Sequence, residues 1–211
     1  MMNAQIVLEK TISSIQEAGL RPSLLLHACC APCASYVLEY LSPYFDISIF
    51  YFNPNIYPPQ EYSRRLEELR RMLKDMDSTA VLIEGAYEPH IFSKIAHGHE
   101  SDAERGPRCS LCYALRLEET AKQAAKDGFD YFATTLSISP HKDAAKLNEL
   151  GLALSAKYEV DYLVSDFKKK NGYLRSLELS RQYGLYPVSY THLMTDHPDP
   201  VFLSDSDTAI P

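Results

Sequence analysis

Three thiols stand close together at Cys29, Cys30 and Cys33, and two more at Cys109 and Cys112, so all five cysteines of the chain fall into two groups. The first group follows a short apolar run, Leu24 to Leu26, that ends at His27. Pro32 forbids a continued β ladder there. In an open α/β sheet, ligands bind in the crevice outside the carboxyl ends of the strands. Thiols placed just after a first strand are therefore placed where chemistry is expected. If the fold brings the two groups together, Cys29, Cys30, Cys33, Cys109 and Cys112 make a soft, thiolate-rich metal site.

Spacing alone leaves the chemistry of that site open. Two Cys-x-x-Cys pairs suit a tetrahedral zinc ion, which needs four N or S ligands. An iron–sulfur cluster with a substrate or second metal beside it gives the fifth thiol a role. A dithiol redox pair needs only Cys30 and Cys33 and leaves Cys109 and Cys112 unused, and unrelated buried cysteines are the remaining reading. Elsewhere, Thr134, Thr135, Ser139 and Lys142 put hydroxyls and a cation at another strand end, where they suit an anionic or hydroxyl-rich ligand. Thr134 and Thr135 are equally good β-formers, and Lys142 equally a solvated helix start. His27 reads as a satisfied core histidine or an orienting donor. His97 and His99, in a Gly-flanked polar loop, read as solvated. The run Lys168 to Lys170, with Arg175 and Arg181, is a solvated face that could also meet a phosphate backbone.

The elements that must position these groups alternate in type. A helix over 3–18 stops at Gly19 and Pro22 before the first strand. A helix from Ala34 to Leu41, a strand from Ile47 to Phe52, the turn Asn53-Pro54-Asn55, a charged amphipathic helix from Glu61 to Lys74 and a strand from Ala80 to Ile83 follow. After a short helix at Ile91 to Ala96 comes a polar loop or lid up to Cys109. Then come a helix from Cys112 to Lys126, a strand from Tyr131 to Leu136, a helix capped by Asp143 and a short strand from Tyr162 to Val164. This order predicts an α/β fold with a doubly wound parallel sheet. With 211 residues and 45% hydrophobic content we expect a single domain over 1–186, and an aperiodic, disordered or atypical tail over 187–211. No signal peptide or membrane-length apolar run is seen, so a soluble, cytoplasmic protein with no membrane partner is expected. A net charge of −7 argues against a general polyanion binder but allows a local basic face.

The motifs together resemble the QueH-type epoxyqueuosine reductases. HACCAPC at 27–33, FNPNIYP at 52–58 with Glu61, Tyr62 and Arg65, RCxxCY at 108–113, TTLxxSPxK at 134–142 and FKKKNGYxRSxELSRxYGLY at 167–186 carry the resemblance, over about residues 23–186. It implies a Rossmann-like (nucleotide alpha-hydrolase-like) parallel sheet with helices on both faces. The implied activity is cobalamin-independent reduction of epoxyqueuosine to queuosine in the anticodon loop of tRNA, with electrons from an unidentified donor. It also implies a 4Fe-4S cluster on Cys29, Cys30, Cys109 and Cys112, and an additional mononuclear iron for which Cys33 is the candidate ligand. Asn53, Asn55, Tyr62, Arg65, Thr134, Thr135, Ser139 and Lys142 are the expected substrate-binding residues, and Cys33, Tyr113 and Lys142 the expected catalytic ones. Pro187-Val188-Ser189 stands where such proteins continue with Arg-Gln and a Cys-Gly-Cys segment. Three expectations follow. The two cysteine groups share one pocket; Arg64, Arg65, Lys142, Lys168, Lys169 and Arg175 rim it with positive charge; and 188–211 supply no ligand. The rival reading is a zinc-stabilised nucleotide- or RNA-binding module without redox activity.

Overall fold

The computed structural model describes residues 3–187, so the expectation for 188–211 lies outside the described residues. Five parallel strands, β1 (Ser23–His27), β2 (Asp46–Tyr51), β3 (Val81–Glu84), β4 (Tyr131–Thr134) and β5 (Asp161–Tyr162), form one sheet in the order β3-β2-β1-β4-β5. The helices are α1 (Ala4–Glu17), α2 (Ala31–Leu41), α3 (Pro59–Asp75), α4 (Pro89–Ala96), α5 (Pro107–Asp127), α6 (Ala144–Tyr158) and α7 (Gly172–Gln182). The sequence order reverses at β1, whose neighbours are β2 on one side and β4 on the other. A reversal of this kind opens a crevice at the strands' carboxyl ends.

β1 is an unbroken apolar run because both faces of a parallel sheet are covered by helices. Leu24 and Leu26 point into a core shared with Leu38 of α2 and Leu69 of α3. Leu25, on the opposite face, packs with Leu117, Ala121 and Ala124 of α5 and Leu147 of α6. The period of two thus sends successive leucines into the two cores.

Several boundaries differ from the pattern in the sequence. α2 and α5 begin at Ala31 and Pro107, earlier than expected, each with a proline in its first two positions. Proline costs a helix nothing there, since its missing N–H would be unsatisfied in any case. Residues that break a ladder here start helices, so Cys33, Cys109 and Cys112 sit in or next to first helical turns. β4 stops at Thr134, because the Thr134 hydroxyl accepts the Leu136 N–H at 3.1 Å and turns the chain into a 3-10 turn over Thr135–Ile138. The last strand is Asp161–Tyr162 rather than Tyr162–Val164. α7, which the sequence pattern left unplaced, lies against α2. A Cβ on Gly172 would stand 2.0 Å from the Phe167 carbonyl oxygen and 2.5 Å from the Tyr36 ring, so only glycine allows that approach. No helix among the described residues is long and apolar enough to cross a membrane.

Candidate metal centre

All five cysteines line one cleft of about 580 Å³ at the carboxyl end of the sheet. That volume suits a bulky ligand. Cys29 and Cys30 leave β1, with Cys30 in extended backbone as the residue that begins α2. Cys33 lies in the first turn of α2, and Cys109 and Cys112 lie near the start of α5. The Sγ atoms of Cys29, Cys30 and Cys33 lie within 4.8 Å of one another, and those of Cys29 and Cys30 are 3.6 Å apart. Tetrahedral ligation with bonds near 2.3 Å places neighbouring sulfurs about 3.8 Å apart. The triad therefore fits ligation of a single ion with little movement.

Charge in the triad is shared unequally. Hydrogen bonds from the Cys30 and Cys33 thiols hold Cys29 well below the usual thiol range, with Arg116 and His27 adding to the effect. The same hydrogen bonds to Cys29 push Cys30 and Cys33 up, and burial adds to the rise. The thiolate form, the metal-binding form, is thus favoured first at Cys29.

Beneath the thiols lies a buried polar layer. His27 Nδ1 is 3.0 Å from the Thr134 hydroxyl, and His27 Nε2 is 3.1 Å from the Phe52 carbonyl oxygen. Burial, and then the charge of Arg116, push the His27 pKa down to about 3, so the imidazole is neutral near pH 7. Asn53 donates from Nδ2 to the Ala28 carbonyl at 2.9 Å and accepts on Oδ1 from Arg116 Nη2 at 2.7 Å. Arg116 also points Nε at His27 Nε2, 3.3 Å away, and Nη1 at Cys112 Sγ, 3.7 Å away. Its residue is only 3% exposed, and among the described residues no carboxylate contacts it. Two opposite unit charges 4 Å apart attract by about 4 kcal/mol at an effective dielectric of 20. The Cys29 and Cys112 sulfurs are the adjacent groups able to carry an offsetting negative charge.

The opposite wall is built from surface loops. Lys142 Nζ reaches Glu104 at 2.7 Å across the mouth. Arg105 donates to the carbonyl oxygens of Pro140 and His141 at 2.5 and 3.2 Å. Arg108 Nη1 donates to the Glu100 carbonyl at 2.6 Å. Two buried lining groups, Asn55 Oδ1 and the Tyr113 hydroxyl, have no hydrogen-bond partner of normal geometry among the described residues, the Asp143 N–H being the backbone donor nearest Tyr113. Buried polar atoms are normally satisfied, so both are placed to meet a ligand. Burial pushes the Tyr113 phenol up, which keeps it protonated and able to donate.

Of the expected substrate residues, Asn55, Arg65, Ser139 and Lys142 line the cleft. Asn53, Thr134 and Thr135 are fully buried behind it. Tyr62 stacks on Tyr87, with ring centroids 4.0 Å apart, away from the lining residues. Of the six cations expected at the rim, Arg65 and Lys142 line the cleft, whereas Arg64, Lys168, Lys169 and Arg175 are not among its lining residues. Most of the six cations are already engaged, since Arg65 pairs with Glu61, Lys142 with Glu104, Lys168 with Asp166 and Arg175 with Glu39 and Glu178. Arg64 lies over the Tyr186 ring. An acidic chain supplies carboxylates to many of its surface cations, Lys168 and Arg175 among them, which counting cations alone overlooks. Arg116 and Arg108, which do line the cleft, were missed by the sequence reading. The only signal for Arg116 is its place four residues after Cys112, on the same helix face.

The family model described as epoxyqueuosine reductase QueH matches residues 24–192 of this chain. A protein of that name from Staphylococcus epidermidis is 43% identical over 195 residues, covering 90% of this chain and 82% of the relative. Proteins of the same name from Staphylococcus aureus and Streptococcus pyogenes are 40% and 38% identical, again over 90% of this chain and over 81% and 76% of their own lengths.

Proposed function

The chain belongs to the epoxyqueuosine reductase QueH family of oxidoreductases, and from that premise we propose that it reduces epoxyqueuosine to queuosine in the anticodon loop of tRNA, in the cytoplasm. The observation that carries this reading is one cleft in which five thiols face two unsatisfied polar groups, Asn55 Oδ1 and the Tyr113 hydroxyl. The donor set fits iron: Cys29, Cys30, Cys109 and Cys112 would hold a 4Fe-4S cluster and Cys33 would face an adjacent mononuclear iron. In the structure Cys29, Cys30 and Cys33 form the close group, and Cys109 and Cys112 line the same cleft outside it, so this allotment asks the α5 thiols to draw nearer to Cys29 and Cys30. When bound, such groups supply low-potential electrons singly and a Lewis-acid site for oxygen.

The chain's own residues bind, orient and protonate. Removing an epoxide oxygen to leave an alkene takes two electrons and two protons. Lys142, held at the mouth by Glu104, brings a proton and a cation to the cleft. Tyr113, kept neutral by burial, offers its hydroxyl hydrogen to an oxygen in the cleft. Asn55 Oδ1 accepts from a hydroxyl or amino group of the flipped-out base. Arg65 and Ser139 complete the polar lining. Asn53, Thr134 and Thr135 act from behind, by fixing the strand ends that carry the thiols. Phosphate contacts position a nucleic acid while the pocket specifies the base. Arg108 and Lys142, at the mouth, would take up the first task by exchanging their present partners Glu100 and Glu104 for phosphate.

Anaerobic turnover of tRNA bearing epoxyqueuosine, with a chemical reductant in place of the unidentified donor, tests the reading. Conversion to queuosine by a brown, iron-loaded chain is the expected result. A colourless chain with one zinc and no conversion would replace it with the zinc-stabilised RNA-binding module.

A further inference from the structure

Arg116 has no role in the reading above, yet its charge is buried, with only 3% of the residue exposed. It sits four residues after Cys112 on α5, is almost wholly buried, and spends its donors on His27, Asn53 and the Cys112 sulfur. A guanidinium does not lose its proton in a protein, so it cannot escape burial by becoming neutral. Buried charges are paired or they destabilise the fold. Among the described residues the groups in contact with Arg116 that can carry negative charge are thiols, Cys112 at 3.7 Å and Cys29 beside it. Nor is the cation free to swing away. Asn53 holds Nη2 at 2.7 Å while its own amide is tied to the Ala28 carbonyl, one residue before Cys29.

We propose that Arg116 is the fixed counter-cation of the thiolate centre, a positioning residue whose charge favours the anionic metal–thiolate complex and so sets how tightly the cleft holds metal. Four thiolates around a divalent ion leave two net negative charges, which a neutral cleft would disfavour. The proposal rests on the metal centre of the previous section but not on tRNA as the substrate. Its test needs no nucleic acid, so a failure of the tRNA reading leaves the result interpretable.

The reduced, metal-free full chain is titrated with Co²⁺ and followed by thiolate-to-cobalt charge-transfer absorbance. Arg116→Met weakens Co²⁺ binding about 10–100-fold, the range for losing an outer partner of a metal ligand. Arg116→Lys, which keeps the charge, recovers most of that loss. If the methionine variant fails to fold by circular dichroism, Arg116→Gln, which keeps a donor for Asn53 without the charge, is expected to show the same weakening. The proposal is overturned by a parent chain that gives no thiolate-to-cobalt band, by a folded charge-free variant that binds Co²⁺ as the parent does, or by a lysine variant that falls as far as the methionine one.

Discussion

The two walls of the cleft are held by different forces. The inner wall, with Cys29, Cys30, Cys33 and Arg116, hangs from the central strand through buried hydrogen bonds: His27 to Thr134 at 3.0 Å and Asn53 to Ala28 at 2.9 Å. Leaving such a buried donor or acceptor unsatisfied costs about 1–3 kcal/mol. The outer wall, residues 97–106 and 139–142, is closed by Glu104–Lys142 and by Arg105 on two carbonyl oxygens, with the Glu104 side chain 42% and the Lys142 side chain 11% exposed. Exposed ion pairs contribute about 0–1 kcal/mol and weaken with salt. The function proposed above asks a large base to enter while the thiol geometry stays fixed, and this division of forces suits both. The wall with the thiols is tied by buried hydrogen bonds, and the outer wall by contacts that cost less to break.

The largest effect expected from breaking this contrast is at the inner wall. Cys30→Ala removes a buried thiol from the triad, and both retained iron, measured by elemental analysis, and turnover should fall to background. Full iron content would mean that the triad is not part of the centre. Asn53→Ala comes next. It strips partners from the Ala28 carbonyl and from Arg116, a loss of roughly 2–3 kcal/mol. For a chain of this size the calorimetric Tm should drop by roughly 4–12 °C, and an unchanged Tm would remove the energetic difference between the walls.

On the outer wall, Glu104→Gln should change stability by less than about 1 kcal/mol. Amide exchange should quicken over 97–106 and stay unaltered in β1 and β4; equal acceleration in both would show the walls to be one unit. The smallest effect concerns the segment after α7, where Glu68 accepts the Tyr186 N–H at 2.6 Å. The Arg71 hydrogen bond holds the Glu68 carboxyl below its ordinary 4.5. A depressed carboxylate stabilises above its ordinary value, and that contribution fades as pH falls through the lowered one. The Tyr186 amide resonance should therefore stay constant from pH 7 to about 5 and move only in more acid solution. Movement near neutrality would assign the clamp to another group.

Much of the inner wall was legible in the chain. The apolar run ending at His27, the two cysteine spacings and the alternation of strand and helix led to a parallel sheet with thiols at a strand end, and Cys29, Cys30, Cys33, Cys109 and Cys112 do converge. Helix starts were misplaced at Ala34 and Cys112 because Pro32 and Pro107 read as breaks, although proline at a first turn opens a helix. The outer wall was less legible. Whether Lys168 or Arg175 is available to a phosphate depends on Asp166 and on Glu39, which approach it only in three dimensions. Arg116 was illegible for the same reason: its partners Asn53 and His27 lie 63 and 89 residues away.

The central place of β1 in the strand order sets a timetable for biosynthesis. β1 carries the first thiols, yet its partner β4 lies more than a hundred residues later, as the span of 107 residues between His27 and Thr134 shows. At ribosomal rates of about 5–20 residues per second, Cys112 follows Cys33 by roughly 4–16 s. Until β4 has been made, β1 has only β2 beside it, and the thiols of α5 have no finished sheet to pack on. A cofactor held by both cysteine groups, as proposed above, would have to wait for the finished sheet, and the early cysteines would need a reducing milieu to reach it unoxidised.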